Sequence, residues 1–554
     1  MALARPAGLR GRFFTDLQTR SAYSEGAGPY RIVPTAVAVP ADRADVALLA
    51  RYATDHGVPL TPRGAGSGIP GHNVGAGIVV DLATFTRPTR VALARTANVG
   101  AGVTCAGLNA VAEHFKLRLP PDPSSAPFCT IGGMVATNAA GARTLRFGSI
   151  RRWVRGVEFV TADGEAGWLG RRHALRPHRP RATSSPRVLV ERLAVEERIG
   201  PVRERITAAQ PAIAARFPAT RKNSAGYALD AYLASDELVD LVIGAEGTLG
   251  IVTRVELLLD LVPDRTGTLL VALADLADIG AAVEALRAHD PVAIELLDRT
   301  FLDLAGPDAS PVALDQAAAV LLVDVEGTSE AAVRDMLAAA ERALAGTALR
   351  TDTGVTGAER DRLWRIRHGA SPALAALPPE RRSLQVIEDG CVPVAALGSY
   401  VAGVRAAAAA AGVPVIAFGH AGDGHLHVNA LVDTTAPGFE RRLAALLDAT
   451  TRLLVELGGT PSGEHGDGRL RAGLLERIYG PAVTALFADV KRAFDPAGIF
   501  NPGVIVSDGA PALAHLKVGS GAEPIPDQVA AGLRARERAG AWGLSPLTLG
   551  TEEP

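Results

Sequence analysis

Three observations predict an α+β protein of two large domains. The chain's 554 residues exceed what one hydrophobic core normally organises. Short apolar strands alternate with helical stretches from residue 33 to about 261. Past Pro263 a second run begins, TGTLLVALADL, IGAAVEALRAH, AVLLVDVEG and SEAAVRDMLAAAERALAG, reading strand, helix, strand, helix.

The elements follow in order. Residues 1–29, opening MALARPAGLRGRFFTDL, are basic and lack an apolar core or cleavage signal, so they read as a frayed extension. TAVAV is a strand, residues 41–56 a helix stopped by Gly57, PLTPRG a strand, and GIVVDL another after a glycine-rich loop. This first domain spans 30–263, interrupted at about 171–220 by a basic, proline-rich insertion and an amphipathic helical segment. The second domain covers 264–493. Within it GSYVAGVRAAAAAAG forms a helix, PVIAF a strand and HLHVNALVD another. Residues 494–506 return to the first domain, and 507–554 form a tail over the surface.

Bulk properties exclude several functions. A net charge of −2 with interspersed signs leaves no footprint for nucleic acid. Cys105, Cys129 and Cys391 are far apart, which excludes a disulfide framework and a cysteine-ligated cluster and favours a reducing, cytoplasmic setting, at most peripheral to the inner membrane. The apolar runs are broken by Gly and Pro, so no transmembrane segment is expected.

Two kinds of motif carry chemistry. PRGAGSGIPGHNVGAG formally contains GxGxxG at Gly66, Gly68 and Gly71, but Pro70 interrupts it and a strand follows, which excludes the dinucleotide fingerprint of a Rossmann fold. What remains is a loop whose free amides can close on phosphate oxygens. PPDPSSAPFCTIGGMVATNAAGARTLRFGS and GAEGTLGIVT are two further glycine loops, and together the three imply one extended phosphate-bearing ligand. In GHAGDGHLHVNA, a strand over HLHVN puts His425, His427 and Asn429 on one face, and His420 joins them around the GDG turn. Converging imidazoles and a carboxylate suit a divalent metal such as Zn, Fe or Mn. PSGEHGDG adds Glu464 and His465, which on an extended segment would point apart and so divide the work. In LWRIRHGAS, Trp364 and Arg367 share a helical face.

The ordered set PRGAGSGIPG, PDPSSAPFCTIGGMVATNAAGARTLRFG, RKNSAGY, AEGTLGIVT, GHAGDGHLH, GEHGDG and FNPG resembles the FAD-linked D-2-hydroxyacid dehydrogenases, of the vanillyl-alcohol-oxidase superfamily, over residues 30–505. The resemblance implies a two-lobed FAD-binding domain and an α+β substrate cap. It assigns Pro62, Arg63, Gly64, Ala65, Gly66, Ser67, Gly68 and Gly71 to the FAD pyrophosphate. Pro121, Asp122, Ser125, Thr130, Gly132, Gly133, Asn138, Gly141, Glu246, Thr248, Gly250 and Ile251 would line the flavin, and Asn501 would return the chain to it. The attachment histidine of covalent family members has no counterpart at Ala65 to Ser67, so noncovalent FAD is expected. His420, His427 and Glu464 would ligate the metal, His465 would be the base, Asn429 would touch substrate and Arg367 would hold the substrate carboxylate. His425 stands where the family usually has Asn, and His368 where it commonly has Glu. The implied reaction oxidises a small 2-hydroxyacid, with electrons leaving to a separate iron–sulfur subunit, electron-transfer flavoprotein, cytochrome or quinone. The rivals are a metal-dependent hydrolase, which leaves the glycine loops unexplained, and a flavin-fold binding protein without turnover.

Overall fold

The first sheet is built around three strands buried along most of their length. Ala36–Val39 and Leu60–Arg63 both pair in parallel with Ile78–Asp81. Parallel pairing requires a crossover, which the helix Arg43–His56 supplies. Asp42 caps that helix by accepting from the amides of Ala44 and Asp45, and Gly57 ends it at φ 63°. Arg12–Phe14 adds an antiparallel edge strand, and buried Tyr23 donates to Asp81, so residues 3–29 are not a frayed extension: they complete this sheet. The computed structural model describes residues 3–172, 194–306 and 314–549, the side chains of 368 and 370–372 excepted. The His368 side chain and most of the proline-rich insertion therefore lie outside what the structure describes.

The α/β rhythm does not extend through the second lobe. Its five strands run in the order Thr89–Ala92, Thr96–Gly100, Ile251–Leu258, Val154–Val160, Ala166–Gly170, every neighbouring pair antiparallel. The helix Leu475–Phe494 packs into this lobe's core, with Phe494 edge-on to Phe159 and Phe487 edge-on to Tyr227. The chain thus re-enters this core at Leu475, ahead of the 494 read from the sequence. Helices Gly200–Ala208 and Gln210–Arg216 bury Val202, Ile206 and Ile213 in the same core.

An eight-stranded sheet follows. Its order is Ala348–Gly354, Arg265–Leu273, Ala319–Gly327, Ala293–Asp298, Val415–Gly419, His425–Val432, Arg382–Leu384, with Gly390–Cys391 also pairing to the His425 strand, all antiparallel. By length and composition the 394–411 segment could cross a membrane. Its helix, Leu397–Ala411, instead buries Leu397, Tyr400, Val401, Val404 and Ala408 in the core beside Phe439–Glu456. The hairpin 415–432 brings the histidine loop to the middle of this sheet.

Candidate active site

In that hairpin His427 lies opposite Phe418 and Asn429 opposite Ile416, so His425, His427 and Asn429 share a face. His420 Nδ1 bonds Glu295, and His427 Nδ1 lies 3.1 Å from the Glu388 carbonyl. Each ring is thereby oriented through one nitrogen, leaving Nε2 to face Glu464. His420 Nε2 is 3.1 Å from Glu464 Oε1 and 3.3 Å from His427 Nε2, and His427 Nε2 is 3.5 Å from Glu464 Oε1. That triangle matches the edge of about 3.3–3.4 Å that a tetrahedral ion with ~2.0–2.1 Å bonds requires.

The other carboxylate oxygen is held from the first domain. Lys222, with its side chain only 1% exposed, donates to Glu464 Oε2 at 2.7 Å and to the Gly141 carbonyl at 3.0 Å. Burial raises the cost of ionising Glu464, but the charges of Lys222 and His420 outweigh it and hold the carboxyl well below its usual range.

His425 lies close enough to His420, His427 and Glu464 to join them as a ligand. Both of its nitrogens have other partners, however: Nε2 is 2.9 Å from Asp389 Oδ1 and Nδ1 is 3.5 Å from Lys222 Nζ. Burial, reinforced by Lys222, pushes it down to about 3 and keeps it neutral. Its ring fills the space beside Gly463, where a Cβ would fall 2.7 Å from it.

Glu464 and His465 do not point apart. Their segment is a succession of bends rather than a strand, and His465 Nε2 lies 3.8 Å from Glu464 Oε1. Their different partners divide the work instead. His465 Nδ1 is 2.7 Å from Glu388 Oε2, its amide donates to Asp389 Oδ2 at 3.0 Å, and its ring stacks on His427. Burial lowers the pKa of His465, but Glu388 and Asp389 raise it further, to about 10. Arg471, buried beneath, pairs with both acids, which leaves this second cluster balanced without a cation.

Arg367 donates through Nε to Glu295 Oε2 at 3.0 Å and lies over the Phe418 ring, while its terminal amino groups make no hydrogen bond among the described residues. Asn429 Oδ1 accepts from Ser383 at 3.1 Å, which leaves its amide N–H groups unused there. Both line a cavity of about 960 Å³ with His420, His427, Glu464 and His465.

The same cavity runs to the glycine loops. It is lined by Pro62, Arg63, Gly64, Ala65, Gly66, Ser67 and Gly68, by Asp122, Ser125, Thr130, Gly132, Gly133 and Gly141, and by Glu246 and Gly250. Six predicted residues do not line it. Gly71, at φ 88°, packs against Tyr30; Ile251 starts a strand and is fully buried; Thr248 bonds Tyr227 and the Ala245 carbonyl. Pro121 is turned toward Cys105 through its carbonyl, and Asn138 caps the helix Ile131–Thr137 at φ 52° while accepting from Ser149. Asn501, at φ 44°, donates to the carbonyls of His72 and Glu246 and so fastens the loops from behind.

Residues 34–170 match the model of an FAD binding domain, and 262–505 that of the C-terminal domain of FAD linked oxidases. The chain is 30% identical over 499 residues to glycolate oxidase subunit GlcD of Bacillus subtilis, covering 89% of this chain and 93% of that one. The chain belongs to the FAD-linked oxidases. It is also 29% identical over 475 residues to D-lactate dehydrogenase of Archaeoglobus fulgidus, 85% and 91% of the two chains, and 31% identical over 530 residues to D-2-hydroxyglutarate dehydrogenase of Pseudomonas putida, 90% of this chain and 51% of that longer one. Among solved structures, 4-ethylphenol oxidase from Gulosibacter chungangensis shares the fold, with TM-score 0.63 at 15% identity over 90% of this chain and 94% of that one.

This FAD-linked oxidase has the fold of the vanillyl-alcohol-oxidase type, and its cavity fits a dinucleotide. The volume lies at the upper end of the roughly 300–1,000 Å³ typical of small-molecule sites. The backbone around it is packed too closely for side chains: a Cβ on Gly64 would fall 2.3 Å from Thr130 Oγ1 and one on Gly132 2.7 Å from Ala101. Arg63 braces rather than faces the ligand, since its buried guanidinium donates to the carbonyls of Tyr23, Glu25 and Asn73. Sequence reasoning missed Lys222, Glu295, Glu388, Asp389 and Arg471. The available signal was charge set among apolar residues, as in VAIELLD and VIEDGCVPV, and one of only four lysines in the chain.

Proposed function

We propose that this enzyme oxidises a D-2-hydroxyacid of the lactate, glycolate or 2-hydroxyglutarate class to the 2-oxoacid, with metal-assisted deprotonation and a separate electron acceptor. The substrates named for the relatives support the class. One observation carries the mechanism: three ligand atoms that face one another form a triangle beside an imidazole fixed by a carboxylate, inside the cavity that reaches the glycine loops.

When bound, a divalent ion held by His420, His427 and Glu464 would supply acidity at the substrate hydroxyl, and noncovalent FAD would supply a hydride acceptor. Lys222 keeps Glu464 ionised and turns Oε1 into the triangle. His465 takes the hydroxyl proton at Nε2, because Nδ1 is committed to Glu388, which stabilises the imidazolium. Arg367 offers its terminal amino groups to the substrate carboxylate and Asn429 its amide N–H, fixing the α-carbon. The three cysteines of this sequence cannot ligate a four-cysteine cluster, so electrons would leave to an iron–sulfur subunit, an electron-transfer flavoprotein, a cytochrome or a quinone.

Anaerobic mixing with paired D- and L-2-hydroxyacids tests this reading. Bleaching of the flavin band by one D-acid supports it. No bleaching by any of them, in enzyme that dithionite reduces, would remove the substrate class.

A further inference from the structure

The cavity has a wall that lies beyond both matched domains, which end at residue 505. The tail helix Asp527–Ala539 buries Val529 and Leu533 against Val37 and Val79 of the first sheet and against Ala22 and Tyr23 beside it. It also reaches the cap: Glu537 accepts from Arg382 Nη2 at 2.8 Å and from Lys517 at 3.1 Å. Gly540 ends the helix at φ 61° and turns the chain back, bringing Trp542, only 8% exposed, to the cavity that Phe128 and Ala65 also line.

Arg536 fixes that indole. It is 4% exposed, lies 4.9 Å over the ring, and donates to the carbonyls of Trp542 at 2.8 Å, Ala541 at 3.2 Å and Ala65 at 3.2 Å. It has no acidic partner among the described residues, and its Nη1 is buried without an acceptor. A buried cation held only by carbonyls is costly and is retained where it orders something. What it orders is one glycine-loop carbonyl and one aromatic ring, both on the wall of a cavity that fits a dinucleotide.

We propose that Trp542 is a contact for the FAD, supplied by the tail, and that Arg536 positions it by latching the tail to Ala65. An indole held rigidly in this way presents a flat face at little entropic cost to a ligand that carries two flat ring systems.

The test is reconstitution of the apo-protein with FAD alone, with no substrate or metal present, so its outcome is independent of the hydroxyacid reading. Trp542→Ala should raise the Kd for FAD about tenfold and speed flavin release on dilution, Trp542→Phe should stay within about threefold of the parent, and Arg536→Met should behave like Trp542→Ala. An unchanged Kd in folded Trp542→Ala overturns the proposal. If that variant does not fold, hydrogen exchange on the unmodified chain decides: FAD should slow exchange at residues 540–544, and no slowing overturns it.

Discussion

Replacing His465 by Gln removes the proposed proton acceptor while leaving its neighbours in place. The side chain holds no metal-triangle position, since the three ligand atoms belong to His420, His427 and Glu464, and its ring is partly exposed to the cavity at 28%. A positioned general base contributes roughly 10²–10⁴-fold, or about 3–5 kcal/mol of barrier. Glutamine can still donate toward Glu388 but cannot take a proton, so the loss should fall in that range. The assay is stopped-flow flavin reduction under anaerobic conditions at saturating hydroxyacid, with flavin and metal content measured on the same sample. Unchanged FAD and metal with reduction slowed by at least a hundredfold is the expected result. A reduction rate within about threefold of the parent would refute the assignment, because no uncatalysed route should match a positioned base.

Glu388→Gln removes the charge that most raises His465, so the imidazole loses its proton at lower pH; the pH at which flavin reduction reaches its plateau should move down, as a rate profile will show. Arg367→Met removes a charge-assisted contact worth about 1.5–3 kcal/mol, so KM for the hydroxyacid should rise about ten- to 150-fold with FAD content unchanged, as steady-state kinetics would reveal. His425→Asn gives up the Asp389 contact and should cost about 1–3 kcal/mol in a denaturant melt, while metal content stays at the parent level; loss of the metal would make His425 a ligand after all.

The legible parts of the fold were those in which local pattern and tertiary role coincide. Strands such as Ala36–Val39 and helices with a cap and a left-handed stop, such as Arg43–His56, follow from periodicity and end signals. Pairing partners did not: the antiparallel second lobe and the re-entry at Leu475 depend on contacts hundreds of residues apart. In the site, the histidines and Glu464 were visible because glycines isolate them in short motifs. Glu295, Glu388, Asp389 and Arg471 were not, since the partner of each comes from another strand or loop. The error over Glu464 and His465 came from applying strand alternation to a segment that bends at nearly every residue.

The central claim is that a divalent ion in the His420, His427 and Glu464 triangle is needed before the hydroxyacid can reduce the flavin. The most direct measurement is the rate of anaerobic flavin bleaching by the most active hydroxyacid, in enzyme stripped by chelator and again after titrating metal back, with FAD content followed throughout. The account predicts full FAD occupancy, bleaching lost on stripping, and recovery that saturates at one ion per chain. Bleaching at the original rate in metal-free, FAD-replete enzyme would contradict it.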